Sequence, residues 1–216
     1  MTAITAQENK PAGKKEKLYT IEEYLEMEET SLVNHEFDNG ELIPMAGGTH
    51  QLSQIKVRLI AALVNAIDQL GKGFVVYNSD IRIYLPNLAK FVMPDAAITK
   101  ETGKGVFPNA PIGVLTDPLV IIEVLSKDSE SYDRGEKFAR YRTIPSFTEY
   151  LLVSQAEPRV ETFVKENGKW FINEDASGMD AEVNLVSLGV KIALRDIYRN
   201  VSFEPKKAKQ IKRAKK

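Results

Sequence analysis

The sequence predicts an α/β fold: a mixed β-sheet flanked by helices, with a helix and a hairpin on its N-terminal side. Three observations predict it. Strand-like and helix-like patterns are interleaved along the chain, as in a layered α/β domain. Leu119-Val120-Ile121-Ile122-Glu123-Val124-Leu125 is the most apolar run and is rich in β-branched residues, as in a central strand buried on both faces. Residues 51–70 carry Leu52, Ile55, Leu59, Ile60, Leu63, Val64, Ile67 and Leu70 at helical spacing, which marks a long helix with one broad buried face.

The elements follow in order. Residues 1–17 are polar and Lys-rich and read as a disordered tail. Thr20 and Glu23 form a capping box, and Tyr19 and Tyr24 a hydrophobic staple, so a short helix starts there and ends near Glu28 or Glu29. Residues 35–38 and 41–43 flank Asn39-Gly40, the dipeptide of a tight type I′ hairpin. The long helix ends at Gly71 and Gly73. Strands are predicted at 74–77, 80–85 and 91–99, then a loop over 100–118 rich in Gly, Pro and Asn. After the apolar strand at 119–126 comes a helix over 134–143, with Asp133 as its N-cap and Glu136 completing a capping box. Glu149–Val153 reads as a strand. Arg159–Lys165 and Lys169–Asn173 read as a second hairpin around Asn167-Gly168, and Val183–Ile197 as the last ordered part.

Composition narrows the function. With 216 residues the chain is long enough for one domain with a good core. No apolar stretch is long enough to span a membrane. There is no Cys and there are two His, which fits a cytoplasmic protein and argues against a structural zinc site. Any metal would be a hard ion held by carboxylates. The net charge is −1 overall, but residues 205–216 hold six Lys, one Arg and no acid, leaving 22 basic against 30 acidic residues on the rest. That basic end reads as a solubilising tail or as a phosphate-attracting arm. The acidic body does not resemble a duplex reader with a basic recognition face.

Glu123 poses the chemical question. A carboxylate in a strand buried on both faces costs several kcal/mol unless it finds a cation, a proton or a metal. Met93-Pro94-Asp95 leads into a second strand pattern, and Lys137 lies on the helix after Glu123. Two acids on neighbouring strands make a natural Mg²⁺ or Mn²⁺ site, because such an ion keeps several waters and needs only one or two carboxylates. The ion polarises a phosphoryl oxygen and lowers the pKa of a bound water. A nearby Lys offsets the charge that develops. Asp95, Glu123 and Lys137 are thus the parts of a metal-dependent phosphodiesterase.

Five stretches carry a family resemblance: HEFDNGELIPMAGG at 35–48, MPDAAIT at 93–99, LVIIEVLS at 119–126, YDRGEKFARY at 132–141 and IPSFTEYLLV at 144–153. In this order the chain resembles the Uma-two family of endonuclease-like proteins, within the restriction-endonuclease-like PD-(D/E)xK superfamily, over about residues 19–200. The resemblance implies a restriction-endonuclease-like domain over 18–204. It also implies a homodimer, a DNA substrate and Mg²⁺- or Mn²⁺-dependent hydrolysis by a metal-activated water. The family's functional acids fall on Glu36, Asp95 and Glu123, with Asp95 and Glu123 holding the metal. Leu125 stands where the superfamily places its lysine. Related proteins supply that lysine from the next helix, which here is Lys137. Lys127 competes with it, because it keeps the strand face of Glu123. The rival function is a non-catalytic nucleic-acid-binding or assembly protein on the same fold.

Several of these residues also have plainer readings. Asp95 is equally a strand-start residue, and Glu123 with Lys137 a purely structural ion pair. Glu36 reads otherwise as a solvated strand residue. His35 reads as structural, and His50 as a surface residue or a phosphate contact. Ser126 serves the strand end or orients Glu123, and Phe138 and Tyr141 read as core packing.

Overall fold

The computed structural model describes residues 17–45, 47–101 and 112–203. The predicted tails, apart from Lys17, and most of the 100–118 loop lie outside these residues. In chain order the elements are α1 (Ile21–Thr30), β1 (His35–Asp38), β2 (Glu41–Pro44), α2 (His50–Leu70), β3 (Phe74–Tyr77), β4 (Arg82–Leu85), β5 (Lys90–Val92) and β6 (Ala96–Lys100). They continue with β7 (Val114–Leu115), β8 (Val120–Leu125), α3 (Glu130–Tyr132), a π-helical turn (Asp133–Lys137), α4 (Phe138–Tyr141) and β9 (Glu149–Ser154). Last come β10 (Arg159–Glu166), β11 (Lys169–Ser177), β12 (Glu182–Leu185), β13 (Val190–Ala193) and α5 (Leu194–Ile197). Among the described residues no helix is long and apolar enough to cross a membrane.

Local chemistry sets the N-terminal elements. The Thr20 hydroxyl accepts the Glu23 amide at 3.1 Å, and the Glu23 carboxylate accepts the Thr20 amide at 2.9 Å. Asn39 and Gly40 both take positive φ, 49° and 98°, as a type I′ turn between β1 and β2 requires. Thr49 caps α2 by accepting the Leu52 amide at 3.1 Å, so His50 is the first helical residue and is exposed.

The strands of the described residues form three sheets rather than one. β2-β1-β5-β4-β7 make the first, β11-β10-β9-β8-β6-β3 the second, and β12-β13 a separate pair. The first two are mixed, since β4 runs parallel to β7 and β8 parallel to β9. The segment 91–99, expected as one strand, is two. Pro94 cannot donate to a ladder, and at Met93–Asp95 the chain crosses from β5 in the first sheet to β6 in the second. β7 emerges from the segment read as loop.

β8 is buried on both faces, as its sequence predicts. Val120, Ile122 and Val124 pack with Leu52, Ile55, Leu59 and Leu63 of α2. Each such side chain, fully buried, contributes roughly 1.5–3 kcal/mol. Ile121 and Leu125 face the opposite core, with Tyr141 of α4, Phe147, Tyr150 of β9, and Ile83 and Val92 of the first sheet. Glu123 shares that second face.

The helix expected over 134–143 begins earlier. Helical backbone runs from Glu130 to Tyr141. Asp133 is therefore inside it, with φ −64° and ψ −40°, and is not its N-cap. The Phe138 ring stacks on Tyr150 at 4.6 Å between centroids, which pins this helical stretch against the second sheet.

Candidate active site

The β6–β8 ladder pairs Ala96 with Ile122 and Ala97 with Ile121. One further rung would set Asp95 opposite Glu123, where the strands part. There the two acids interlock. The Val124 amide donates to Asp95 Oδ2 at 2.6 Å, and the Asp95 amide donates to Glu123 Oε2 at 3.3 Å. Each carboxylate is thus held by the other residue's strand.

Lys137 completes the group from the π-helical turn. Its Nζ lies 2.9 Å from Glu123 Oε1, 3.6 Å from Asp133 Oδ1 and 3.9 Å from Glu36 Oε1, and it donates to the Met93 carbonyl at 2.8 Å. The Met93 amide donates to Glu36 Oε1 at 3.0 Å. The sheet-crossing segment is therefore tied at both ends by site residues. In an ideal α-helix, residues four apart drift by about 40°. The wider i→i+5 turn takes up that drift, so Asp133, Lys137 and Tyr141 all lie buried on one side. The Tyr141 hydroxyl donates to Glu123 Oε1 at 2.8 Å.

Glu36 is buried at 4 % exposure, so the solvated-strand reading fails. Its Oε2 accepts the Tyr132 hydroxyl at 3.1 Å, and Arg140 in turn donates to Tyr132 at 2.8 Å. Lys127 sits exposed in the turn after β8. Ser126 accepts the Ser129 amide at 3.1 Å and serves that turn. His35 pairs with Glu28 at 2.7 Å, away from this group.

The electrostatics are those of too many acids for the cations present. Burial drives Glu123 up to about 8; Lys137 pulls it down, while Asp95 and Asp133 push it up. Burial also raises Asp133 above the usual carboxylate range. Burial works against the Lys137 ammonium, but Glu123, Glu36 and Asp133 more than offset that and hold it above an ordinary lysine. A cleft of about 560 Å³ opens on the group, and among the described residues its lining carries six acidic side chains against three basic ones. Asp95 and Glu123 offer carboxylate oxygens, which suit a hard ion. Among the described residues no three or more of His, Cys, Asp and Glu are arranged to hold a metal, so an ion on Asp95 and Glu123 would keep most of its waters.

The Uma2 family model, described as "Putative restriction endonuclease", matches residues 21–195. The chain belongs to the Uma2 family. Two proteins of Synechocystis sp. are similar to it. Uncharacterized protein slr1290 is 34% identical over 184 residues, covering 84% of this chain and 92% of its own. Uncharacterized protein sll1609 is 32% identical over 167 residues, covering 77% and 92%. The fold is shared with a protein of Anabaena variabilis described as "a putative nuclease belonging to DUF820". The TM-score is 0.64 at 17% identity, covering 83% of this chain and 97% of that one. This Uma2 chain therefore has the restriction-endonuclease-like α/β core.

Sequence reasoning brought forward Glu36, Asp95, Glu123 and Lys137, and the fold places all four around Met93. It missed Asp133, which with Glu136 three positions on mimics a capping box. It also missed Lys56 of α2, whose Nζ pairs with Asp95 Oδ1 at 2.5 Å. The only sequence signal for Lys56 is a cation on the helix flank among apolar positions.

Proposed function

We propose that this Uma2 protein is a cytoplasmic, Mg²⁺- or Mn²⁺-dependent endodeoxyribonuclease of the PD-(D/E)xK type. The observation that carries the reading is the Asp95–Glu123 pair at the parting of β6 and β8, with Lys137 in contact, on the wall of an open cleft. A divalent cation held by Asp95 and Glu123 would supply polarisation of the scissile phosphoryl group and activation of water. Tyr141 and the Asp95 amide fix the Glu123 carboxylate, one on each oxygen. Glu36 holds the Met93 amide and adds to the field that keeps Lys137 charged. Lys137 sets a fixed positive charge beside the acids, where it offsets negative charge developing on the phosphoryl group as water attacks in line. Lys137 fills this role better than Lys127, which is exposed and outside the cleft lining. DNA is the substrate that family membership favours. A homodimer belongs to the same reading, and the edge strand β11 offers exposed Phe171 and Ile172 for a second copy to cover.

The test is plasmid nicking by purified protein with and without Mg²⁺ or Mn²⁺. Asp95→Ala and Glu123→Ala must each abolish metal-dependent nicking, and cleavage by either at the parent rate refutes the reading. A non-catalytic nucleic-acid-binding or assembly role is the second reading. It is favoured by the ion pairs that already occupy Lys137. A parent protein that binds DNA but shows no Mg²⁺ or Mn²⁺ uptake would establish that role instead. Light scattering in solution reads the oligomeric state.

A further inference from the structure

We propose that Lys56 is a cation gate: its ammonium neutralises Asp95 in the metal-free protein, yields Asp95 to the divalent ion, and then binds a DNA phosphate. The proposal rests on the nuclease reading above.

The two lysines of the site differ in freedom. Lys137 is 5 % exposed and committed to Glu123, Asp133 and the Met93 carbonyl. Lys56 is 30 % exposed, and its ion pair among the described residues is with Asp95 alone. Its four-carbon stem rises from the rigid α2 helix, so the ammonium moves while the backbone stays.

Both Asp95 oxygens have partners. Oδ2 is fixed by the Val124 amide at 2.6 Å. Oδ1 carries the Lys56 ammonium at 2.5 Å. A divalent ion that takes Asp95 through Oδ1 meets that ammonium at close range, and the two cations repel strongly. Room for the displaced ammonium exists. A second cavity of about 440 Å³ adjoins the cleft, and Lys56 and Asp95 line both. From there Lys56 remains on the cleft wall, where a polyanionic substrate would supply a new counter-charge. A lysine binds phosphate as a point charge and needs no fixed fork geometry.

The experiment uses the full chain and its K56M and K56R variants, with melting curves to verify that each folds. MnCl₂ alone is titrated calorimetrically. K56M is expected to bind Mn²⁺ about five- to tenfold tighter than the parent, since a partly buried pair of this kind no longer competes, and K56R no tighter than the parent. A labelled duplex is then titrated in Ca²⁺ and checked intact afterwards. K56M is expected to bind it about five- to tenfold more weakly, with a slope of log affinity on log salt smaller by about one. Equal Mn²⁺ affinities of parent and K56M overturn the gate, and so does an unchanged duplex affinity. A parent that takes up no Mn²⁺ overturns the nuclease reading itself, and the gate with it.

Discussion

Lys137 Nζ stands 2.9 Å from Glu123 Oε1, yet it comes from the π-helical turn and not from β8. On β8 the position two along from Glu123 is Leu125, which is buried in the core between the two large sheets. A lysine at 125 would bring a charge into the core that Leu125 shares with Tyr141, Phe147 and Tyr150. Delivering the ammonium from the neighbouring helical turn leaves that core apolar and still pairs the acid.

Lys137 and Lys127 should separate cleanly. Lys137→Met leaves Glu123 and Asp133 buried without their cation, and removing one partner of a buried pair costs about 3–5 kcal/mol. The loss should be largest near pH 8 and smaller near pH 5, where Glu123 carries a proton. Lys127→Met, on the surface, should stay within about 0.5 kcal/mol and nick DNA like the parent. Urea unfolding at both pH values, with plasmid nicking, reads both. Equal losses for the two variants would remove Lys137 from the site.

Stability of the metal-free protein should fall as pH rises from about 4.3 to about 8. Glu123 has a folded-state value of about 8, above the roughly 4.3 of an unfolded Glu. The folded state then holds the proton more tightly, so its contribution is complete below the unfolded value and is lost as pH climbs through the folded one. Asp133 is shifted the same way and adds a smaller slope of equal sign. Glu123→Gln should flatten most of this slope, by a few kcal/mol at most across the window. Denaturation midpoints measured in steps from pH 4.5 to 8.5 give the answer, and an unchanged slope in the variant rejects the assignment.

Cation binding should release a proton. At neutral pH an ion on Asp95 and Glu123 requires the Glu123 carboxylate to ionise, so Mn²⁺ affinity should rise by up to about tenfold per pH unit below 8 and level off above it. Calorimetry in buffers of different ionisation enthalpy counts the protons. Affinity that is flat between pH 6 and 8 would mean that Glu123 is not a ligand.

What the sequence made legible was local. The Thr20–Glu23 capping box, the Asn39-Gly40 turn and the apolar face of α2 depend on neighbours within a few positions, and each formed as read. Glu123 was legible for another reason: an acid in an apolar strand is conspicuous on cost alone. Contacts made across the fold left no local trace. Nothing near Lys56 says that it reaches Asp95, and Asp133 was misread because, with Glu136 three positions on, a buried acid looks like a capping one. Tyr141 shows the same limit from the other side. It is a core ring, as its spacing predicts, but its hydroxyl ends on Glu123.

The π-helical turn should prove to be the device that positions the site, and Gly135 offers a way to test it. A Cβ added at Gly135 meets nothing within 4 Å. Gly135→Ala should therefore keep the turn and stabilise the protein by about 0.5–1 kcal/mol, through the lower entropy of the unfolded chain and better helix propensity. Deleting Gly135 is a different perturbation. Phe138 and Tyr141 are anchored in the core, so residues before the deletion must rotate by about 100° relative to those after it. Tyr132 and Asp133 then leave the cleft, and the Tyr132–Glu36 hydrogen bond and the Asp133–Lys137 pair are lost together. The deletion should lower the melting temperature and abolish metal-dependent nicking, while the alanine variant keeps both. Parent-like stability and nicking in the deletion variant would show that the extra residue of this turn does not hold Tyr132 and Asp133 in the cleft.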